Sequence, residues 1–308
     1  MKENNTGLRR QTIYWKFATG CLLLVLTLWL ASDLLDLTGT VMAVWALPNQ
    51  TLLVLFLLGA ASWLLRGLRT WILFEHIPLN EALGMSFVHN TANNLAPMRL
   101  GELALPFLAR WLGRIEFSVG LTGLVWIRLL DLVSLIGIAT CILLLPVFGL
   151  PMLALLAGLI FLTPLLMRWV LPKMQRVTLP SLLHQARAQL IYESTQPARL
   201  HRLWRLTVLA WLSKLLGMAV LLAALSGLSL AEVMATILGA ELSSILPIHG
   251  LAGAGSYQAG GVLGATLTGQ NALTGLELAI QLHVYVLSLT LVFGILGTLL
   301  LTKRTFHG

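Results

Sequence analysis

Long apolar blocks alternate with short polar stops along this chain. Blocks from about Ile13 to Leu35, Leu47 to Leu65, Phe117 to Leu145, Pro151 to Val170, Leu206 to Leu228 and Leu276 to Leu301 each reach the roughly 18 residues that a helix needs to cross hydrocarbon. They predict six membrane-spanning helices. Two further segments are moderately apolar but interrupted. The first, Glu81 to Arg114, is broken by Asn90, Asn93, Asn94, Pro97, Arg99, Gly101 and Glu102. The second lies between Ser229 and Leu276 and is broken by Leu246-Pro247-Ile248-His249-Gly250-Leu251-Ala252-Gly253-Ala254-Gly255. An arm of the first segment has about fourteen residues and reaches roughly 20 Å, past the bilayer midplane but not across it. Each segment therefore predicts a re-entrant helical hairpin, the first entering from the cytoplasm and the second from outside. The order of two spans, a hairpin and a span then occurs twice, which predicts an inverted repeat with halves 13–145 and 151–301 and a basic cytoplasmic linker over 172–205. Within that linker, Thr178 to Tyr192 has the pattern of a surface amphipathic helix.

Composition excludes a soluble domain. Apolar residues make up 57% of the 308 positions and charged residues 10%, against about 25% charged in a soluble domain. All of 1–308 reads as one all-α transmembrane domain. The net charge of +8 belongs to membrane orientation and does not point to nucleic acid. No Lys or Arg occurs between Phe17 and Leu65 or between Ser229 and Leu276, whereas Arg66, Arg69, Arg110, Arg114, Arg168, Lys173, Lys303 and Arg304 follow or precede apolar blocks. Excess Lys and Arg mark the cytoplasmic side. Both termini are expected there, with the protein integral to the cell inner membrane and the first block acting as a retained signal anchor. Lys214 is expected to snorkel to the same side. Cys21 and Cys141 lie in apolar blocks and are expected to be structural.

Five ionisable side chains fall deep in the apolar zone: Arg99, Glu102, Arg128, Asp131 and His249. A charge at the bilayer centre costs about 2.5 to 3.5 kcal/mol on insertion scales, so each needs a partner or water. Arg128 and Asp131 are three apart and share a helix face. They either neutralise one another and staple the helix to a hairpin, or serve a ligand. Arg99 and Glu102 flank Gly101 at the first interruption, near Asn94, where helix ends expose backbone polar groups. At the second interruption the bare amides of Gly250, Gly253 and Gly255 could receive a phosphate. Ser256, Gly260, Gly264 and Thr268 form one row of small residues, with Gly253, Tyr257, Gly261 and Ala265 beside it, as in closely packed helices. His283 is expected to be a hydrogen-bonded core residue. Zinc-type HExxH, GxSxG, Walker and paired-Cys motifs are absent from the sequence, so no cofactor or metal is expected.

The run Asn94-Leu95-Ala96-Pro97-Met98-Arg99-Leu100-Gly101-Glu102, then Arg128-x-x-Asp131, then Leu246-Pro247 with the glycines after it, resembles the flippase-like family that includes the membrane domain of lysylphosphatidylglycerol synthases. The resemblance implies two re-entrant hairpins and a role in moving lipids between leaflets. By position, Arg99, Gly101, Glu102, Arg128 and Asp131 inherit the family's polar centre. Many members carry Glu after the second set of glycines, where this chain reads Gly255-Ser256-Tyr257-Gln258. The chain stops at Gly308 without a soluble aminoacyl-transfer domain, so synthesis of an aminoacylated lipid is not expected.

These features predict a lipid translocase for a phosphate-bearing phospholipid, glycolipid or polyprenyl-linked lipid. Its headgroup would occupy a polar cavity between the hairpins, with Arg99 and Arg128 on the phosphate. Any driving force would be an ion gradient, the membrane potential or a substrate gradient. One alternative is an integral-membrane enzyme acting on a lipid phosphate with Glu102 and His249 as acid and base. The other is a non-transporting partner subunit of a lipid-modifying enzyme.

Overall fold

The computed structural model describes residues 3–74, 77–112, 115–149, 151–170, 173, 188, 191–192, 195–244 and 250–302. Most of the expected Thr178–Tyr192 helix and of the 172–205 linker, residues 246–249 of the second interruption (His249 included), and the boundary residues Arg114, Lys303 and Arg304 lie outside them. The described residues form helices joined by short turns, with no strand among them: α1 Glu3–Leu34, α2 Leu37–Trp45, α3 Asn49–Leu73, α4 Leu79–Leu95, α5 Ala104–Trp111, α6 Phe117–Phe148, α7 Pro151–Val170, α8 Pro197–Ser226, α9 Leu230–Ser243, α10 Ser256–Leu267 and α11 Ala272–Thr302. Four of these, α3, α6, α8 and α11, are long and apolar enough to cross a membrane, and the bent pair α1–α2 would make a fifth. The bend between Leu34 and Leu37 is 93°. Asp36 accounts for the restart, since its carboxylate accepts the Gly39 amide and caps the new helix.

The apolar blocks predict the helices well and their ends less well. The helix over the second block does not stop at Leu65 but runs on to Leu73. Arg69, expected at a cytoplasmic boundary, is 3% exposed and sits inside the protein. Its charge is matched there by a carboxylate on another helix, described below. The helix over the fifth block begins at Pro197, so the last nine residues of the expected linker are helical.

The chain forms two compact units. Unit one contains 1–55, 90–101 and 218–291, and unit two contains 56–89, 102–217 and 292–308. In unit one, α9 and α10 pack backbone against backbone. A Cβ at Gly239 would overlap the Gly260 carbonyl, and one at Gly264 would overlap the Ala235 carbonyl. The small-residue row is thus a packing surface, as its spacing predicts. In unit two, Trp63 stacks on Phe293 at 5.1 Å, and Phe87 meets both rings edge-on. Arg199 of α8 donates to the Leu73 carbonyl at the end of α3, 2.9 Å away, which satisfies a helix-terminal carbonyl.

Candidate functional site

In unit one, both interruptions are strained turns. Among the described residues, the non-glycine residues with positive φ are Met98 (53°), Arg99 (57°) and Ala252 (56°), and all of them lie in the two breaks. Such conformations cost about 1–3 kcal/mol each and persist only where surrounding contacts impose them. At the first break the chain folds back over α4. A Cβ at Gly101 would overlap the Ala92 carbonyl, so only glycine fits. Asn94 donates to the Thr290 hydroxyl at 2.8 Å, holding the end of α4 to α11. Arg99 Nε donates to the Ser244 carbonyl at 3.2 Å. Ser244 ends α9, so a guanidinium from the first break caps the helix that leads into the second.

The second break is tied to α11. Gly250, Gly253 and Gly255 surround Ala252, with Gly253 at φ 79° and Gly255 at φ 91°. The Gly255 amide donates to Gln258 Oε1 at 2.9 Å. Gln258 Nε2 and His283 Nδ1 are 2.6 Å apart, as are His283 Nε2 and the Ala252 carbonyl. The Gly250 amide meets the Ala254 carbonyl and its own carbonyl accepts from Gly253, so these glycines close a turn. Tyr257 donates to the buried Glu241 carboxylate at 3.2 Å, and its ring lies 5.0 Å from that of His283. His283 is the hydrogen-bonded core residue that its isolated position predicts.

In unit two, three helices each present one face to a charged cluster. Arg66 and Arg69 are three apart on α3, Arg128 and Asp131 three apart on α6, and Thr207, Trp211 and Lys214 follow at steps of four and three on α8. Asp131 is the hub. Arg69 Nη1 donates to Oδ1 at 2.6 Å and Nη2 to Oδ2 at 3.4 Å, and Trp211 Nε1 adds a bond to Oδ1 at 3.1 Å. Arg66 and Arg128 stand at 4.0 and 3.8 Å from Oδ2. Arg69 also donates to Thr207, and Arg66 and Lys214 lie 5.0 and 5.3 Å from the Trp211 ring centre. Glu102 approaches Arg128 Nε at 3.4 Å.

The sequence-level candidates therefore meet in two groups. Glu102, Arg128 and Asp131 join one cluster in unit two. Arg99, Asn94, Gly101, Gly250, Gly253, Gly255 and Tyr257 belong to unit one. Arg66, Arg69 and Trp211 were not among the candidates. The available signal was that Arg66 and Arg69, like Arg128 and Asp131, stand three apart. Among the described residues of the cluster, three guanidinium groups face two carboxylates. Nε and Nη2 of Arg128 are out of solvent and hydrogen-bond to no described residue. These two groups form one edge of the guanidinium, of the kind that holds two oxygens of an oxyanion together, and the Glu102 carboxylate stands 3.4 Å from its Nε.

The family model described as the lysylphosphatidylglycerol synthase TM region matches residues 17–294 of the chain. The match marks a membrane protein linked to lipid handling. No curated protein and no solved structure shows a significant match.

Proposed function

Because the chain belongs to the lysylphosphatidylglycerol synthase TM region family, we propose that it is a lipid translocase moving a phosphate-bearing lipid between leaflets. Arg128 carries this reading. Its Nε and Nη2 are out of solvent and make no hydrogen bond among the described residues, with only the Glu102 carboxylate 3.4 Å from Nε, so an oxyanion that displaced Glu102 would meet two parallel donors, the arrangement a phosphate takes. Hydrocarbon offers no such group, so a headgroup crossing the membrane needs a polar station of this kind. The short helices add support. α9 and α10 have 14 and 12 residues, about 21 and 18 Å at 1.5 Å per residue, less than the roughly 30 Å of hydrocarbon. That length, with strained breaks at both interruptions, favours two re-entrant hairpins beside six spans in an inverted arrangement. In this reading the basic termini lie on the cytoplasmic side of the inner membrane.

The test is reconstitution in liposomes with a panel of headgroup-labelled lipids. The protein should speed transbilayer movement of phosphate-bearing lipids. Arg128→Lys keeps the charge but loses the two-donor edge, and Arg128→Ala loses both, so activity should fall in the order wild type, Lys, Ala. A loss of roughly tenfold or more is expected for Ala, corresponding to one charge-assisted hydrogen bond of about 1.5–3 kcal/mol. Equal movement in all three at equal folded amounts removes Arg128 from the mechanism. Chemical turnover of a lipid without movement would instead favour a membrane enzyme.

A further inference from the structure

The hydrogen-bond chain at the second break has a fixed direction. The Ala252 carbonyl can only accept, so His283 Nε2 carries the hydrogen across their 2.6 Å contact. The Gly255 amide can only donate, so Gln258 Oε1 accepts it at 2.9 Å. The Gln258 amide nitrogen then points its hydrogen at His283 Nδ1, 2.6 Å away, which must be an unprotonated acceptor. Every donor and acceptor in the chain from Gly255 to Ala252 is assigned, and the assignment requires a neutral imidazole.

A second proton on the ring breaks this chain whichever way Gln258 turns. With the amide as it stands, N–H faces N–H between Gln258 and His283. With the amide flipped, its oxygen accepts from the ring, but its nitrogen faces the Gly255 amide and again two donors meet. One tie to the break is lost in either case. Two of the residues so held, Ala252 at φ 56° and Gly255 at φ 91°, lie in the left-handed region, so a turn that depends on its contacts loses one of them.

We propose that His283 is a proton-binding site whose occupancy releases the second break, residues 250–255, from α11. The charged ring has a counter-charge within reach. Tyr257 of α10 links the two, its ring 5.0 Å from that of His283 and its hydroxyl donating to Glu241 of α9. From α1, the groups beside Gly255 are Leu23 and Thr27, which carry no charge. The proton binds in the released state, where the ring is freed from the opposing donor, so mass action favours release as pH falls. With an ordinary ring basicity near 6.5 in the released state, the opening constant rises about tenfold between pH 7.5 and pH 5.5. In a translocase the released break would make lipid movement respond to a proton gradient. That consequence rests on the transport reading, whereas the switch itself does not.

The experiment separates the two. In the full chain in liposomes, with Cys21 and Cys141 replaced, Ala254→Cys is labelled with a membrane-permeant maleimide. Ala254 is 2% exposed, so its labelling reports release. The rate is normalised to Ala272→Cys at an exposed position. Thiol reactivity itself falls in acid, so a normalised rise comes from exposure. A rise of about tenfold from pH 7.5 to pH 5.5 is expected. Gln258→Glu should abolish it, because a carboxylate accepts from both the Gly255 amide and the protonated ring. His283→Gln should abolish it by removing the titrating group. If that variant does not fold, the nearly isosteric Gln258→Glu carries the test. No rise in the otherwise native protein, or a rise that survives Gln258→Glu, overturns the proposal. Labelling that responds to pH while no lipid moves at either pH keeps the switch and sinks the transport reading.

Discussion

The Asp131 cluster and the His283 chain both bury polar atoms among apolar helices, and they do so by opposite physical means. Asp131 draws three arginines and an indole, with distances from 2.6 to 4.0 Å. Coulomb attraction tolerates that spread, since it falls slowly with distance and has little directionality. Such a cluster can exchange one anionic partner for another without coming apart. The His283 chain is neutral and directional, with contacts of 2.6 to 2.9 Å. It has one arrangement, and a single proton removes it. A charged cluster suits holding a ligand, and a directional neutral chain suits switching between states.

The largest break in this comparison is Asp131→Ala. It leaves Arg69, whose side chain is 4% exposed, without its principal counter-charge. Breaking a buried pair by removing one partner costs about 3–5 kcal/mol. The variant should lose most of its folded protein in a thermal unfolding measurement in detergent. Adding Arg69→Met should restore part of the loss, because the uncompensated charge goes too. If Asp131→Ala alone unfolds at the wild-type temperature, the cluster is not holding α3, α6 and α8 together.

A smaller effect is expected from His283→Leu. It removes no charge, but the Ala252 carbonyl and the Gln258 amide both lose their partner. Leaving buried polar groups unsatisfied costs about 1–3 kcal/mol. Unfolding should shift by less than for Asp131→Ala, and the damage should be local. Amide exchange should rise over 250–258 and stay unchanged along α6. Equal exchange in both segments would erase the distinction between the two regions.

How far these regions could be read from the sequence follows from the range of their interactions. The breaks at Pro97 and at the glycines interrupt an apolar pattern locally, and the structure places strained turns at both. Arg128 and Asp131 are one helical turn apart, so their pairing was visible as spacing. Arg69 was not, because a cation at the end of an apolar block looks the same whether it reaches water or a carboxylate 62 residues away. Gln258 and His283 are ordinary residues taken singly. Their tie spans 25 positions and depends on a left-handed Ala252 that no propensity announces.

The smallest expected effect concerns a carboxylate outside both regions. Ser229 and Glu232 form a capping box at the start of α9. The Ser229 amide donates to Glu232 Oε2 at 2.8 Å, the Ser229 hydroxyl accepts from the Glu232 amide, and Gln270 donates to Oε1. The bonds from Ser229 come first, and with the Gln270 bond they hold the Glu232 carboxyl below its ordinary value of 4.5. A group whose folded value is depressed contributes stability that is present above its unfolded value and is lost as pH falls through the folded one. Glu232→Gln keeps one oxygen acceptor but removes the titration. The first turn of α9 should therefore exchange its amides slightly more slowly in the wild type than in the variant near pH 6. That difference should begin to shrink only below the ordinary carboxyl value of 4.5 and vanish as pH falls through the lowered one. Because Glu232 is only half-buried, the effect should also shrink in high salt, unlike that of Asp131. A difference that grows in acid would mean that the cap does not act through the charged carboxylate.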